Sequence, residues 1–137
     1  FIKLSSKNSI NFRNRNKLMY IKGDADQLNR VFINLIKNSE ESFIEKIEKN
    51  PNFKGIIDIE IVDNNDYIVF RLTDNGPGIK DAKKAMTPYF TTKKTGTGLG
   101  LPIVTKIINE HSGNFYIKNN KKKDGTLVEI SIPKINE

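Results

Sequence analysis

Ile56-Ile57-Asp58-Ile59-Glu60-Ile61-Val62, then Asp63-Asn64-Asn65-Asp66, then Tyr67-Ile68-Val69-Phe70-Arg71-Leu72-Thr73-Asp74-Asn75-Gly76-Pro77-Gly78-Ile79 is the stretch that sets the architecture. Two β-rich runs, Ile56 to Val62 and Tyr67 to Leu72, flank a polar cluster and predict a hairpin turning at 63–66. The second strand ends on an acid followed by two glycines. Glycine lets the backbone turn tightly and approach a ligand closely. A carboxylate accepts hydrogen bonds and does not donate them, so Asp74 suits an exocyclic amine such as that of adenine. Taken alone, an Asp-Gly turn has an ordinary structural explanation.

Upstream, Asp24-Ala25-Asp26-Gln27 reads as a helix start, with Asp24 as cap and Gln27 at the capping-box position. Leu28, Val31, Phe32, Leu35, Ile36, Phe43, Ile44 and Ile47 then recur at helical spacing, until Asn50-Pro51-Asn52 stops the helix. Asn34 and Asn38 break the apolar pattern four residues apart, on one face. Solvent-facing amides would be the plain explanation for one such residue. A pair of amide oxygens can also ligate a hard cation such as Mg2+, or water bound to it. Further upstream, Ser9 to Arg13 alternates as a short strand, and Leu18 to Ile21 is a second candidate.

Downstream, Thr73 to Gly100 is rich in Gly, Thr, Lys and Pro and shows no periodicity. So long a stretch in a small domain is functional or mobile. Its end, Thr95-Gly96-Thr97-Gly98-Leu99-Gly100-Leu101, runs into a helix predicted over Leu101 to Glu110, with Pro102 near its first turn and a stop around Ser112-Gly113. Glycines at a helix start offer unhindered N–H groups and a positive dipole end to phosphate, and Lys93 and Lys94 precede them. The spacing is neither that of a Walker loop nor that of a Rossmann turn. Phe115 to Ile117 and Thr126 to Ile132 close the sequence as an antiparallel pair, with Asp124-Gly125 as a turn signal. The order, ββ-α-ββ-loop-α-ββ, predicts an α/β (α+β) two-layer sandwich, an antiparallel-rich sheet with helices on one face.

The 137 residues fit one domain, and the absence of cysteine excludes disulfides and thiolate metal sites. No apolar run is long enough to cross a bilayer and no signal peptide is evident. The formal charge of +7 raises an acidic partner as a possibility. The excess is mostly lysine, however, with arginine only at 13, 15, 30 and 71, and arginine is the residue that reads bases. Nucleic acid is therefore not expected as a partner.

In combination these segments resemble the ATP-binding domain shared by sensor histidine kinases, type II topoisomerase ATPases, Hsp90 chaperones and MutL repair proteins. Asn34-Leu35-Ile36-Lys37-Asn38 is similar to that family's N box, Asp74-Asn75-Gly76-Pro77-Gly78 to its G1 box, Phe90 to its F box and Gly96-Thr97-Gly98-Leu99-Gly100 to its G2 box. Gly125-Thr126 resembles the final Gly-Thr that supports the adenine pocket. The wording of the N box and of Pro88-Tyr89-Phe90-Thr91-Thr92-Lys93 looks most like NtrY- and NtrB-type nitrogen-regulation kinases.

The resemblance implies a Bergerat fold with a mobile ATP lid over 80–97, and ATP and Mg2+ as ligands. By similarity, Asn38 holds the metal and Asn34 orders the site beside it. Asp74 meets the adenine amine, Gly76 and Gly78 shape the base pocket, and Ile79 lies against the ring. Thr92, Lys93, Lys94, Gly96, Thr97, Gly98, Leu99, Gly100 and Leu101 surround the nucleotide, and Thr126 completes the water network at the base. Hydrolytic relatives carry a glutamate in place of Asn34. An amide cannot take a proton, so Asn34 argues for phosphoryl transfer rather than hydrolysis by an Hsp90- or MutL-like clamp. Glu41 departs from the basic residue found there in many kinases, which leaves Lys37, Lys93 and Lys94 as candidates to meet the phosphates. His111, the sole histidine, lies at a helix end and lacks the setting of a phosphoacceptor. The implied partners are a dimerisation and phosphoacceptor domain of the same kinase and a response-regulator receiver domain. A cytoplasmic domain without membrane contact is implied, and, as in NtrY-like members, an inner-membrane parent.

Overall fold

The computed structural model describes residues 8–14, 23–79, 100–120 and 124–134. Strand β1 (Ser9–Asn14) leads to helix α1 (Ala25–Lys49). A hairpin of β2 (Ile56–Asn64) and β3 (Tyr67–Asp74) follows. Helix α2 (Gly100–Glu110) and a second hairpin, β4 (Asn114–Asn119) and β5 (Thr126–Pro133), complete the order. The sheet runs β1-β2-β3-β5-β4. All its pairings are antiparallel except β1 with β2, which are parallel and joined through the crossover helix α1. This is the expected two-layer α/β sandwich, with the first strand paired to β2. The candidate strand at 18–21 lies outside the described residues.

The helices cover one face because one stripe of each is apolar and the strands alternate. Val31, Leu35, Ile36 and Phe43 of α1 and Val104, Ile107 and Ile108 of α2 meet Ile57, Ile59, Leu72, Val128, Ile130 and Ile132 in a single core. Phe32 adds an edge-on contact with Phe70, ring centroids 5.2 Å apart. On the other face Arg71 lies between Glu60 (3.5 Å) and Glu129 (2.9 Å), its register partners on β2 and β5.

The first hairpin is tighter than the polar run suggests. Asp63 and Asn64 stay in the ladder, opposite Ile68 and Tyr67, so the turn is Asn65-Asp66. Asn65 takes the positive φ of 56° that a two-residue hairpin turn requires.

Helix α1 starts as predicted: the Asp24 carboxylate accepts from the N–H groups of Asp26 (2.9 Å) and Gln27 (3.2 Å). The reciprocal half of the capping box is replaced. The Asp24 N–H donates 3.0 Å to His111 Nε2, which ties the start of α1 to the end of α2. There, Gly113 N–H reaches Ile108 O (2.9 Å) and Ser112 N–H reaches Asn109 O (3.1 Å), a Schellman closure. Ser112, not the adjacent glycine, takes the left-handed position (φ 58°). Gly113 is needed for another reason, since a Cβ there would come within 2.5 Å of Ser131 O.

Candidate nucleotide site at the sheet end

The register brings the start of β2, the end of β3, the end of β4 and the start of β5 to one end of the sheet: Ile57 lies opposite Asp74, Thr73 opposite Leu127 and Asn119 opposite Thr126. Above that end stands the middle of α1. Asp74 is 6% exposed, and its carboxylate is the focus of the site. Oδ2 accepts from the Ser39 hydroxyl at 2.7 Å. Oδ1 accepts from Gly76 N–H at 3.0 Å and Thr126 N–H at 3.2 Å. A buried carboxylate with three donors is held in a fixed orientation, and its remaining acceptor capacity is available to a ligand. Ser39 is itself buried, and the Ser42 hydroxyl donates to its carbonyl at 2.6 Å.

The glycine turn after Asp74 is pinned on both sides by an amide. Asn75 Oδ1 accepts from Ile56 N–H (2.7 Å) and its Nδ2 donates to Lys54 O (3.0 Å). Beyond the turn, Asn119 Oδ1 accepts from Ile79 N–H (2.6 Å) and its Nδ2 donates to Ile79 O (2.8 Å). Each side chain supplies hydrogen bonds that the strand ladder no longer makes. Gly78 has φ 84°, and a Cβ on it would stand 2.7 Å from Asn119 Oδ1. Gly76 lies against Ser42 Oγ, which a Cβ would meet at 2.6 Å. Gly125, at φ 134°, packs so closely under β3 that a Cβ would overlap the Asp74 carbonyl oxygen. These three glycines are therefore demanded by geometry, and two of them by φ as well.

Asn38 meets the start of α2. Its amide oxygen would be 3.4 Å from a Cβ placed on Gly100, so the carboxamide lies beside the first residue of that helix. Asn34 stands one turn earlier on α1 and is half-buried. Leu101 packs its side chain against the core, which leaves its main chain as the part that could meet a ligand. Thr92, Lys93, Lys94, Gly96, Thr97, Gly98, Leu99, Phe90 and the 80–97 lid expected from the sequence lie outside the described residues.

The donors present fit Mg2+ of the kind that travels with a nucleotide. Among the described residues no three His, Cys, Asp or Glu side chains gather as a metal cage. An amide oxygen at Asn38, beside a helix N-terminus suited to phosphate, matches an ion that takes few protein ligands and completes its octahedron with phosphate and water. No helix among the described residues is long and apolar enough to cross a membrane.

Ser39, Asn75 and Asn119 are the site residues that pattern reasoning leaves out. Ser39 had a signal, a hydroxyl immediately after Asn38 on a face that also carries Leu35 and Phe43. Asn119 had none, because its role depends on a partner forty positions away in the chain.

Comparison with known proteins agrees with this geometry. Residues 23–136 match the family model described as histidine kinase-, DNA gyrase B- and HSP90-like ATPase. The chain is 39% identical over 118 residues to sporulation kinase A of Bacillus subtilis, covering 85% of this chain and 18% of that protein. It is 41% identical over 109 residues to a putative NtrY-like sensor histidine kinase of Rickettsia conorii, covering 78% of this chain and 17% of that one. It thus spans less than a fifth of the length of either relative. Among solved structures, the catalytic domain of the histidine kinase ThkA superposes with a TM-score of 0.77 at 31% identity, covering 93% of this chain and 80% of that one. ThkA has also been solved in complex with the response regulator TrrA. With the family model spanning most of its length, the chain belongs to the histidine kinase-, DNA gyrase B- and HSP90-like ATPase family.

Proposed function

We propose that this domain binds Mg·ATP and donates the γ-phosphate to a histidine on a separate dimerisation domain, as the catalytic part of a two-component sensor kinase. The observation that carries the proposal is the buried Asp74 carboxylate, oriented by Ser39, Gly76 and Thr126 at the sheet end, with the Asn38 amide beside the start of α2. Asp74 receives the adenine amine, and Gly76, Gly78 and Ile79 form the base wall. Asn38 contributes an oxygen to Mg2+, which when bound neutralises charge on the phosphates. The N-terminus of α2 and Gly98 and Gly100 meet the phosphates through N–H groups, with the 80–97 segment as lid. Lys37, Lys93 and Lys94 are the candidate basic groups for the phosphates. Asn34 orders this region without acting as a base, which favours transfer over hydrolysis.

His111 supports a separate acceptor. Its Nε2 takes the Asp24 N–H, and its Nδ1 lies 2.7 Å from Ile107 O. Both nitrogens of the only histidine in the sequence are thus engaged, Nε2 across to the start of α1 and Nδ1 within the end of α2. The acceptor histidine and a response-regulator receiver domain are the partners, the latter by similarity to the ThkA–TrrA complex. We assign the domain to the cytoplasm, within an inner-membrane parent sensor, on the resemblance of its motifs to NtrY-type kinases.

Isothermal calorimetry tests the proposal. Mg-dependent binding of ATP and ADP, without steady turnover and without self-phosphorylation, is the expected result. No heat and no thermal shift at millimolar nucleotide would refute it. Steady ATP hydrolysis by the isolated chain would move the assignment to a clamp-type ATPase.

A further inference from the structure

We infer that Asn119 is a positioning residue for the base-binding wall: it fixes the main chain of Ile79 and thereby sets the pocket that the Asp74 loop offers to a purine. This rests on the nucleotide assignment proposed above. The β4–β5 hairpin grips the loop at two points. At one, Thr126 N–H holds the Asp74 carboxylate. At the other, Asn119, directly opposite Thr126 in the ladder, holds both polar main-chain atoms of Ile79 at 2.6 and 2.8 Å. The six residues from Asp74 to Ile79 are therefore fastened at both ends to one rigid pair. Among the described residues no backbone ladder extends to Ile79, and the Asn119 amide takes its place.

Only glycine at 78 leaves room for that amide, because a Cβ would sit 2.7 Å from its oxygen. Asn119 thus also accounts for the second glycine of the turn. An amide suits this pair because its donor and acceptor sit on two separate atoms facing the N–H and C=O of one residue; a carboxylate cannot donate, and a hydroxyl would have to make both bonds from a single oxygen. The effect on a ligand comes through order. Asn119 is exposed, so water can replace each bond when it is removed, but water cannot hold the segment in one place. A wall contact touches the face of the ring whatever its substituents, whereas Asp74 reads the amine. Loss of Asn119 therefore weakens all purines alike, and loss of Asp74 weakens discrimination among them.

The test compares the wild-type chain with Asn119→Ala and with Asn119→Leu, which keeps most of the volume and none of the hydrogen bonds. Calorimetry gives the Kd for Mg·ADP and for Mg·IDP, whose base lacks the amine, well below the melting temperature of each variant. Amide exchange at Ile79 is followed with Leu72 as internal control. In both variants the expected result is an affinity loss of about three- to tenfold for ADP, an equal loss for IDP, and faster exchange at Ile79 with Leu72 unchanged. Unchanged ADP affinity overturns the inference, including the case of a lowered melting temperature with intact binding, which makes Asn119 a structural brace only. A fall in the ADP-to-IDP preference also overturns it, since the amine reader would then be what moved. Wild-type chain that binds neither nucleotide defeats the nucleotide assignment itself, a result separable from the others because no variant is needed to see it.

Discussion

Replacing Asp74 by asparagine and by alanine should separate folding from recognition. In the alanine variant the Ser39 hydroxyl and the N–H groups of Gly76 and Thr126, at 2.7, 3.0 and 3.2 Å from the carboxylate, lose their acceptor. An orphaned buried donor costs about 1–3 kcal/mol. With water refilling part of a site that is 6% exposed, a total of about 3–5 kcal/mol is expected, a large share of a typical domain's ~5–15 kcal/mol. Asparagine keeps one oxygen for the two N–H groups and turns its NH2 towards Ser39, whose hydroxyl can reverse to accept. Its stability loss should stay below about 2 kcal/mol. Recognition should nonetheless fail, because an amide nitrogen would then face the adenine amine, donor against donor. Loss of one charge-assisted hydrogen bond of about 1.5–3 kcal/mol corresponds to about 10- to 150-fold weaker nucleotide binding. Urea denaturation and Mg·ADP calorimetry on both variants measure the two quantities. Asp74→Asn binding ADP as tightly as the wild type, or unfolding as easily as Asp74→Ala, would refute the reasoning.

Asn38→Ala should bring nucleotide affinity in Mg2+ down to the level seen in EDTA; a variant that keeps a clear Mg2+ enhancement would remove Asn38 from the metal site. Gly125→Ala, which sets a methyl on the Asp74 carbonyl at φ 134°, should lose about 2–4 kcal/mol in urea denaturation and melt well below the wild type. Phe43→Ala, at 0% exposure, should cost about 3–5 kcal/mol by the same measurement. Ser112→Gly should go the other way and add about 1 kcal/mol, because Ser112 holds a left-handed φ of 58° at the α2 closure; no gain would mean its side chain offsets that strain.

Much of this was readable from residue order, for physical reasons. The long apolar stripe from Leu28 to Ile47 could only be satisfied by a helix with one covered face, and Asp24 marked its start through a bond made within three residues. The Asp-Asn-Gly-Pro-Gly turn was visible because glycine is the one residue free of a Cβ. What stayed hidden depends on distant partners. Asp63 and Asn64 look like turn residues, yet pairing with Ile68 and Tyr67 keeps them in the ladder. Gln27 looked like the second half of a capping box, but His111, 87 positions beyond Asp24, supplies the acceptor. Ser39 and Asn119 act through Asp74 and Ile79. No local rule reports such a contact, and none reports that the final strand enters between β3 and β4.

That strand order has a consequence during synthesis. Translation delivers β5 after every other strand of the sheet, yet it belongs in the interior between β3 and β4. Until it emerges, the nascent chain carries an unpaired edge along Tyr67–Asp74, a run of apolar residues able to recruit a wrong neighbour. The hazard ends when Thr126–Pro133 slots in, and the same event seats Thr126 N–H on Asp74, so a finished pocket certifies a correctly closed sheet.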